Sequence, residues 1–354
     1  MTAQIEHIAV IGAGYMGGGI AQVFAMAGFD VAICDADPTL TNRHLDRLRR
    51  EADDFEQQGL FQPGSADLVQ KNLRAAESVA EAVADADLVE EAVLERPEIK
   101  GPVLRSIEKA ARPDAVIGSN TSTLPIGDLA SGFERPERFL GVHFSNPAPF
   151  IPGVELIAHA GTDEAVVQAV EALVPRTGKL TARVNDKAGF VLNRLQYVLL
   201  REAVNLVEEG VATPEDVDII VRTTFGYRLP FFGPFAIADM AGLDVYRDGF
   251  RTLQAHYGDR LAVPALLTEL VESGRYGVKQ GGGFVTPAGD QAALVDYRNT
   301  AYARLGQLLQ ELGPAPIGAP SHDAQPIEET RIDDNRSVHR RNLADRGRHA
   351  AVRQ

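Results

Sequence analysis

The feature that most constrains this chain is a glycine-spaced turn near its start. Residues 5 to 11 (Ile-Glu-His-Ile-Ala-Val-Ile) form a short apolar run, Gly12-Ala13-Gly14-Tyr15-Met16-Gly17 follows at once, and a helix-compatible stretch runs from Gly18 to Ala27. Strand, tight turn and helix in this order open a doubly wound α/β sheet. Gly12 permits the turn, Gly14 lets backbone approach a pyrophosphate, and Gly17 allows close helix packing, while the first N–H groups of the helix are donors for an anion. Val31-Ala32-Ile33-Cys34 reads as the second strand and leads into Asp35, 18 residues after Gly17. A carboxylate there accepts hydrogen bonds from ribose hydroxyls and repels a 2'-phosphate. Its neighbours Ala36 and Asp37 supply no cation, so NAD is favoured over NADP.

Further short strands are expected at Asp87 to Val93, Ala115 to Gly118 and Arg138 to His143, alternating with helical segments, which favours a parallel sheet. The character changes after Asp186. Gly189 to Glu209 is long, helical and apolar on one face, and Pro214 opens another helix behind Thr213, a residue suited to N-capping. No strand alternation returns. The expected architecture is α/β: a Rossmann-type, NAD-binding doubly wound sheet over residues 1–185, then an all-α domain for substrate and dimerisation over 186–312. Leu294, Tyr297, Ala301, Leu305, Leu308, Leu309 and Leu312 recur at helical spacing and read as core or dimer packing. Residues 313–354 mix both charge signs with few large apolar groups and are expected to be a disordered tail.

Composition narrows the function classes. At 354 residues the chain exceeds the roughly 250 to 300 at which single cores stop growing. No apolar stretch approaches the roughly 18 to 20 residues of a membrane span, and Glu6 and His7 interrupt any signal-peptide pattern, so a soluble cytoplasmic protein without membrane attachment is expected. A net charge of −14 opposes nucleic-acid binding and requires any anionic ligand to be held by a local device. The single cysteine, Cys34, sits in an apolar run and reads as a small buried hydrophobe; no metal site is expected.

Two segments carry candidate chemistry. Ser119-Asn120-Thr121-Ser122 follows a predicted strand, which puts its hydroxyl and amide groups at the ligand-bearing edge of the sheet; an ST-turn or helix cap is the alternative. His143 ends another strand, and Glu155 follows closely enough for a short hairpin to bring the two face to face. A carboxylate on one imidazole nitrogen fixes the tautomer and leaves the other nitrogen to take a proton.

The glycine fingerprint, Ser119-Asn120-Thr121-Ser122, His143-Phe144-Ser145-Asn146-Pro147, Glu155, Gly189-Phe190-Val191-Leu192-Asn193-Arg194, and Gly233-Pro234-Phe235 with Asp239 and Gly242-Leu243-Asp244 occur in order. Together they resemble the 3-hydroxyacyl-CoA dehydrogenase family. The resemblance implies an NAD-dependent oxidoreductase with His143 as general base, Glu155 as its orienting partner, Ser122 on the reacting hydroxyl and Asn193 on the substrate. It also places Glu95 and Lys100 near the cofactor, with solvated surface charges as the alternative, and implies a homodimer. Phe150-Ile151-Pro152-Gly153-Val154-Glu155 and Gly226-Tyr227-Arg228 are closer to the branch with lambda-crystallin, gulonate dehydrogenase and carnitine dehydrogenase, which handles free hydroxy acids.

In that branch's chemistry Arg228 would pair a substrate carboxylate, with pairing to a protein carboxylate as the alternative. For a CoA phosphate the cations on offer after Asp35 are Arg43, Arg47, Arg49 and Arg50. Two further alternatives stay open: a beta-hydroxyacid dehydrogenase with Lys187 as base, and a crystallin-like protein that binds NAD without turnover.

Overall fold

The computed structural model describes residues 5–289 and 291–315; from residue 316 onward the expected tail lies outside the described residues. The chain divides into two compact units, one reaching Asn205 and the other starting at Leu206.

The first unit is built on eight strands: β1 (His7–Ile11), β2 (Asp30–Cys34), β3 (Leu73–Ala75), β4 (Leu88–Glu91), β5 (Val116–Ser119), β6 (Phe139–Phe144), β7 (Gly153–Ala158) and β8 (Leu180–Asn185). Their order in the sheet is β3-β2-β1-β4-β5-β6-β7-β8. Every pairing is parallel except β6 with β7. The helices are α1 (Tyr15–Met26), α2 (Pro38–Gln57), α3 (Ser65–Asn72), α4 (Val79–Val83), α5 (Pro97–Ala110), α6 (Ile126–Ala130), α7 (Glu164–Leu173) and α8 (Leu192–Glu208), the last of which runs across the division between the units. Ile8, Val10, Leu88, Val116 and Val142 face one apolar core with Ile20 and Phe24 of α1; Ala9, Ile11, Val89 and Ile117 face the other with Leu104 and Ile107 of α5. Two covered faces explain why the central strands read as continuous apolar runs.

The turn after β1 depends on missing side chains. Gly12 has φ +96°, and a Cβ there would meet the Ala92 carbonyl oxygen at 2.7 Å. At Gly17 a Cβ would lie 1.8 Å from the Gly12 carbonyl oxygen, so only hydrogen lets α1 start this close to the strand.

One core residue breaks the apolar pattern. Glu90, on the same face of the sheet as Leu88, is fully buried over Gly118, and neither carboxyl oxygen has a hydrogen-bond partner. Burial, with the neighbouring Glu91 adding to it and Lys100 opposing, pushes its carboxyl well above the usual range. The folded protein therefore holds a proton that the unfolded chain releases near pH 4.3. This residue's contribution to stability is complete below that value and is lost as pH rises toward its folded value. Glu90→Met should raise stability in urea unfolding at about pH 8 by about 1 to 4 kcal/mol, with a smaller gain at about pH 5. An equal gain at both would show that ionisation plays no part.

The second unit contains α9 (Pro214–Thr223), α10 (Pro234–Ala241), α11 (Leu243–Tyr257), α12 (Ala265–Glu272) and α13 (Gln291–Leu312), and no strand among its described residues. Thr213 caps α9 as expected, its hydroxyl oxygen accepting from the Asp216 N–H at 3.1 Å. Buried Asp239 accepts from the N–H groups of Phe284, Val285 and Thr286 and so pins that loop to α10. Of the two readings of the α13 apolar stripe, core or dimer packing, the core one does not hold: of its described residues only Ala301 is buried, and Tyr297, Leu308, Leu309 and Leu312 are exposed. Helical periodicity reports an apolar face but not what covers it. No helix among the described residues is long and apolar enough to cross a membrane.

Candidate active site

The antiparallel pairing of β6 and β7 sets His143 directly opposite Glu155. His143 Nδ1 donates to Glu155 Oε2 at 2.8 Å, and its Nε2 lies 3.1 Å from Ser122 Oγ, which donates to it. With Nδ1 carrying the hydrogen, the Nε2 lone pair is the acceptor for the Ser122 hydroxyl. Ser122 is held in turn: Asn193 Nδ2 donates to its carbonyl oxygen at 2.7 Å. The four residues expected to share the chemistry thus lie together in the first unit.

Glu155 has a second duty. Its Oε1 accepts from the N–H groups of Val191 and Leu192, both at 3.0 Å, so the carboxylate also caps the N-terminus of α8, which bears Asn193. Burial raises the Glu155 carboxyl, but the hydrogen bonds from His143, Leu192 and Val191 outweigh it and hold it below the usual carboxylate range. The chain enters α8 through Phe190, which has φ +48° and a buried ring 5.9 Å from the His143 ring. A non-glycine residue in this left-handed region is strained, and here the packed ring holds it. Nothing in the one-letter pattern pointed to Phe190 as the part that aims α8.

At the C-terminal end of β1 and β2 a cavity of about 570 Å³ is lined by Gly12, Gly14, Asp35, Leu40, His44, Val93, Leu94 and Ile99, among others. It fits a dinucleotide on two observations. A Cβ on Gly14 would meet nothing within 4 Å, so the backbone there is open to a close ligand, and apolar walls flank a single carboxylate. Asp35 Oδ2 accepts from the Ala13 N–H at 2.8 Å and Oδ1 from the Ala36 N–H at 2.7 Å, fixing its position beside the turn. Cys34, just before it, is buried, and burial with Asp35 and Glu81 nearby pushes its thiol up to about 11, which keeps it neutral. Arg47, one of the cations on offer for a CoA phosphate, donates to the carbonyl oxygens of Ala13 and Gly14, and Arg49 to those of Gln70 and Leu73.

Glu95 and Lys100 buttress the serine loop. Glu95 Oε1 accepts from Thr121 Oγ1 at 2.6 Å and from the Ser122 N–H at 2.7 Å. Lys100 Nζ pairs with Glu91 Oε1 at 2.9 Å and with Glu95 Oε2 at 3.2 Å. Its 1% exposure rules out the solvated surface charge that stood as its alternative. Glu91, which sequence reading missed, also accepts from Ser119 Oγ at 2.6 Å and ties the strand end to α5. Arg228 belongs to the second unit, exposed on a short 3₁₀ turn, and Lys187 is exposed in the turn before α8.

A doubly wound sheet with a dinucleotide cavity and a histidine–carboxylate pair defines an NAD-dependent oxidoreductase acting on CH–OH. The 3-hydroxyacyl-CoA dehydrogenase NAD-binding domain model matches residues 7–187, and the C-terminal domain model matches residues 189–287. The chain belongs to the 3-hydroxyacyl-CoA dehydrogenase family. It is 37% identical over 280 residues to the 5-formyl-3-hydroxy-2-methylpyridine 4-carboxylate 5-dehydrogenase of Mesorhizobium japonicum, spanning 79% of this chain and 90% of that one. It is 36% identical over 282 residues to a probable 3-hydroxybutyryl-CoA dehydrogenase of Bacillus subtilis, spanning 79% and 97%. The solved 3-hydroxyacyl-CoA dehydrogenase of Archaeoglobus fulgidus superposes with a TM-score of 0.73 at 30% identity, covering 86% of this chain and 99% of that one.

Proposed function

We propose that this enzyme interconverts an L-3-hydroxyacyl-CoA and the 3-ketoacyl-CoA, with His143 as the general base. The observation that carries the reading is the continuous line from Glu155 through His143 to Ser122, with one imidazole nitrogen committed and the other holding a lone pair. In the oxidative direction His143 Nε2 takes the hydroxyl proton, and Glu155 stabilises the imidazolium that results. NAD, held by the Gly12–Gly17 turn and Asp35, would supply the hydride acceptor for the carbon that bears this hydroxyl. Ser122 hydrogen-bonds the substrate oxygen, and Asn193, which touches the Ser122 carbonyl, sits beside it to polarise the substrate. Glu95 and Lys100 support the serine loop and border the cofactor. Exposed Ile219, Ile220 and Val245 on the second unit support association as a homodimer.

A second reading keeps the chemistry but takes a free hydroxy acid, and the Mesorhizobium relative, named for a pyridine carboxylate, favours it. In that reading Arg228 pairs the carboxylate. The test is turnover of acetoacetyl-CoA with NADH beside free 3-hydroxy acids with NAD, in the unmodified protein and in Arg228→Met. Ready reduction of the thioester, little changed by the substitution, is expected. Oxidation of free acids alone, weakened by about 1.5 to 3 kcal/mol in Arg228→Met with no loss in melting temperature, would establish the second reading instead.

A further inference from the structure

The Asp35 carboxylate lines the cavity proposed for the cofactor, and the fold sets an ionisable ring beside it. His44, nine residues on and nearly two turns into α2, lines the same cavity as Asp35. Its Nδ1 stands 3.8 Å from Asp35 Oδ2, and both side chains are largely buried. The same Nδ1 contacts the Ala13 carbonyl oxygen. A carbonyl only accepts, so Nδ1 carries the hydrogen, and Nε2 is the atom that gains a proton.

We propose that His44 is a specificity-determining residue. As a neutral ring it leaves the Asp35 charge to exclude NADP(H); as an imidazolium it offsets that charge and admits the 2'-phosphate. Histidine is the side-chain type whose charge changes between about pH 5 and 8. The charged groups around the ring are few. Asp35 is the acidic neighbour. Arg47, whose guanidinium shares the Ala13 carbonyl oxygen, is the basic one. Asp37 is occupied as the N-cap of α2, accepting from the Leu40 N–H, and Glu81 acts on this strand end through its field at Cys34. Val79, Ala92, Val93, Leu94, Ile99 and Val103, which also line the cavity, carry no charge. Ala36 and Asp37 alone suggest that no cation serves the 2' position; helix geometry brings an imidazole from farther along the chain.

The experiment is calorimetric binding of NAD⁺ and NADP⁺ at about pH 6 and about pH 8 to the unmodified protein, His44→Gln and His44→Arg. A phosphate monoester itself takes up a proton near pH 6, so His44→Gln supplies the background. The ratio of the NADP⁺ to the NAD⁺ dissociation constant should narrow between about pH 8 and about pH 6 by about tenfold more in the unmodified protein than in His44→Gln. His44→Arg should show the narrowed ratio already at about pH 8. Identical narrowing in the unmodified protein and His44→Gln overturns the proposal. So does equal strengthening of both cofactors at acid pH, which would put the ring on the pyrophosphate. Should His44→Gln fail to bind either nucleotide, an unchanged ratio in His44→Arg is sufficient to reject it.

Discussion

Replacing His143 by alanine is expected to lower turnover by roughly 10²- to 10⁴-fold while leaving NADH affinity nearly unchanged. The side chain is 4% exposed and bonded through one nitrogen to Glu155, apart from the glycine turn and Asp35, so on the proposed mechanism its loss should remove proton transfer and leave NADH binding in place. Glu155→Gln should also reduce turnover, because the amide keeps the shape but not the charge that steadies an imidazolium. The glutamine also weakens a cap on which Val191 and Leu192 depend, so its melting temperature should fall as well. The Glu155 carboxyl lies below the usual range, so its stabilising contribution is present above the ordinary carboxylate pKa and is lost as pH falls through the folded value. If Lys187→Ala abolished turnover and His143→Ala did not, the base would be the lysine.

Lys100→Met should be the most destabilising single change near the site, by about 3 to 5 kcal/mol in chemical unfolding. The ammonium is buried against Glu91, which has no exposed surface, and removing it strands a carboxylate inside the protein. Adding Glu91→Gln to the methionine variant should recover part of the loss, since the stranded charge then disappears. A double variant no more stable than the single one would show that packing of the lysine chain, rather than charge, is what the pair supplies. Glu95 reads differently: burial raises its carboxyl, while Thr121, Lys100 and the loop N–H groups outweigh that and bring it below the usual range. Its replacement should loosen the serine loop and lower turnover more than stability.

Much of the site was legible because its parts sit where strands end. The glycine turn, Asp35, the serine loop and His143 all follow apolar runs, and the short reach from His143 to Glu155 foretold the hairpin that pairs them. What stayed hidden depends on contacts that sequence separation conceals. Strand β8 pairs with β7 at the sheet edge, where Leu180 and most of its neighbours are exposed, so no apolar pattern announced it. Strand β3 is too short at three residues to show any alternation. For Lys100 a cofactor neighbour and a solvated charge stayed open together because its partner Glu91 lies in the preceding strand, and nothing singled out His44, whose partners are Ala13 and Asp35. The boundary near residue 186 follows the change from alternating elements to helices, whereas the compact units part at Asn205, inside α8.

The most direct test of His143-assisted hydride transfer uses acetoacetyl-CoA with NADH carrying deuterium at the transferring position of the nicotinamide. We expect one deuterium at C3 of the 3-hydroxybutyryl product for each NADH consumed, with a solvent proton on the new hydroxyl, and near loss of the reaction in His143→Ala. NADH that binds but is not consumed, or a product without deuterium at C3, would contradict it.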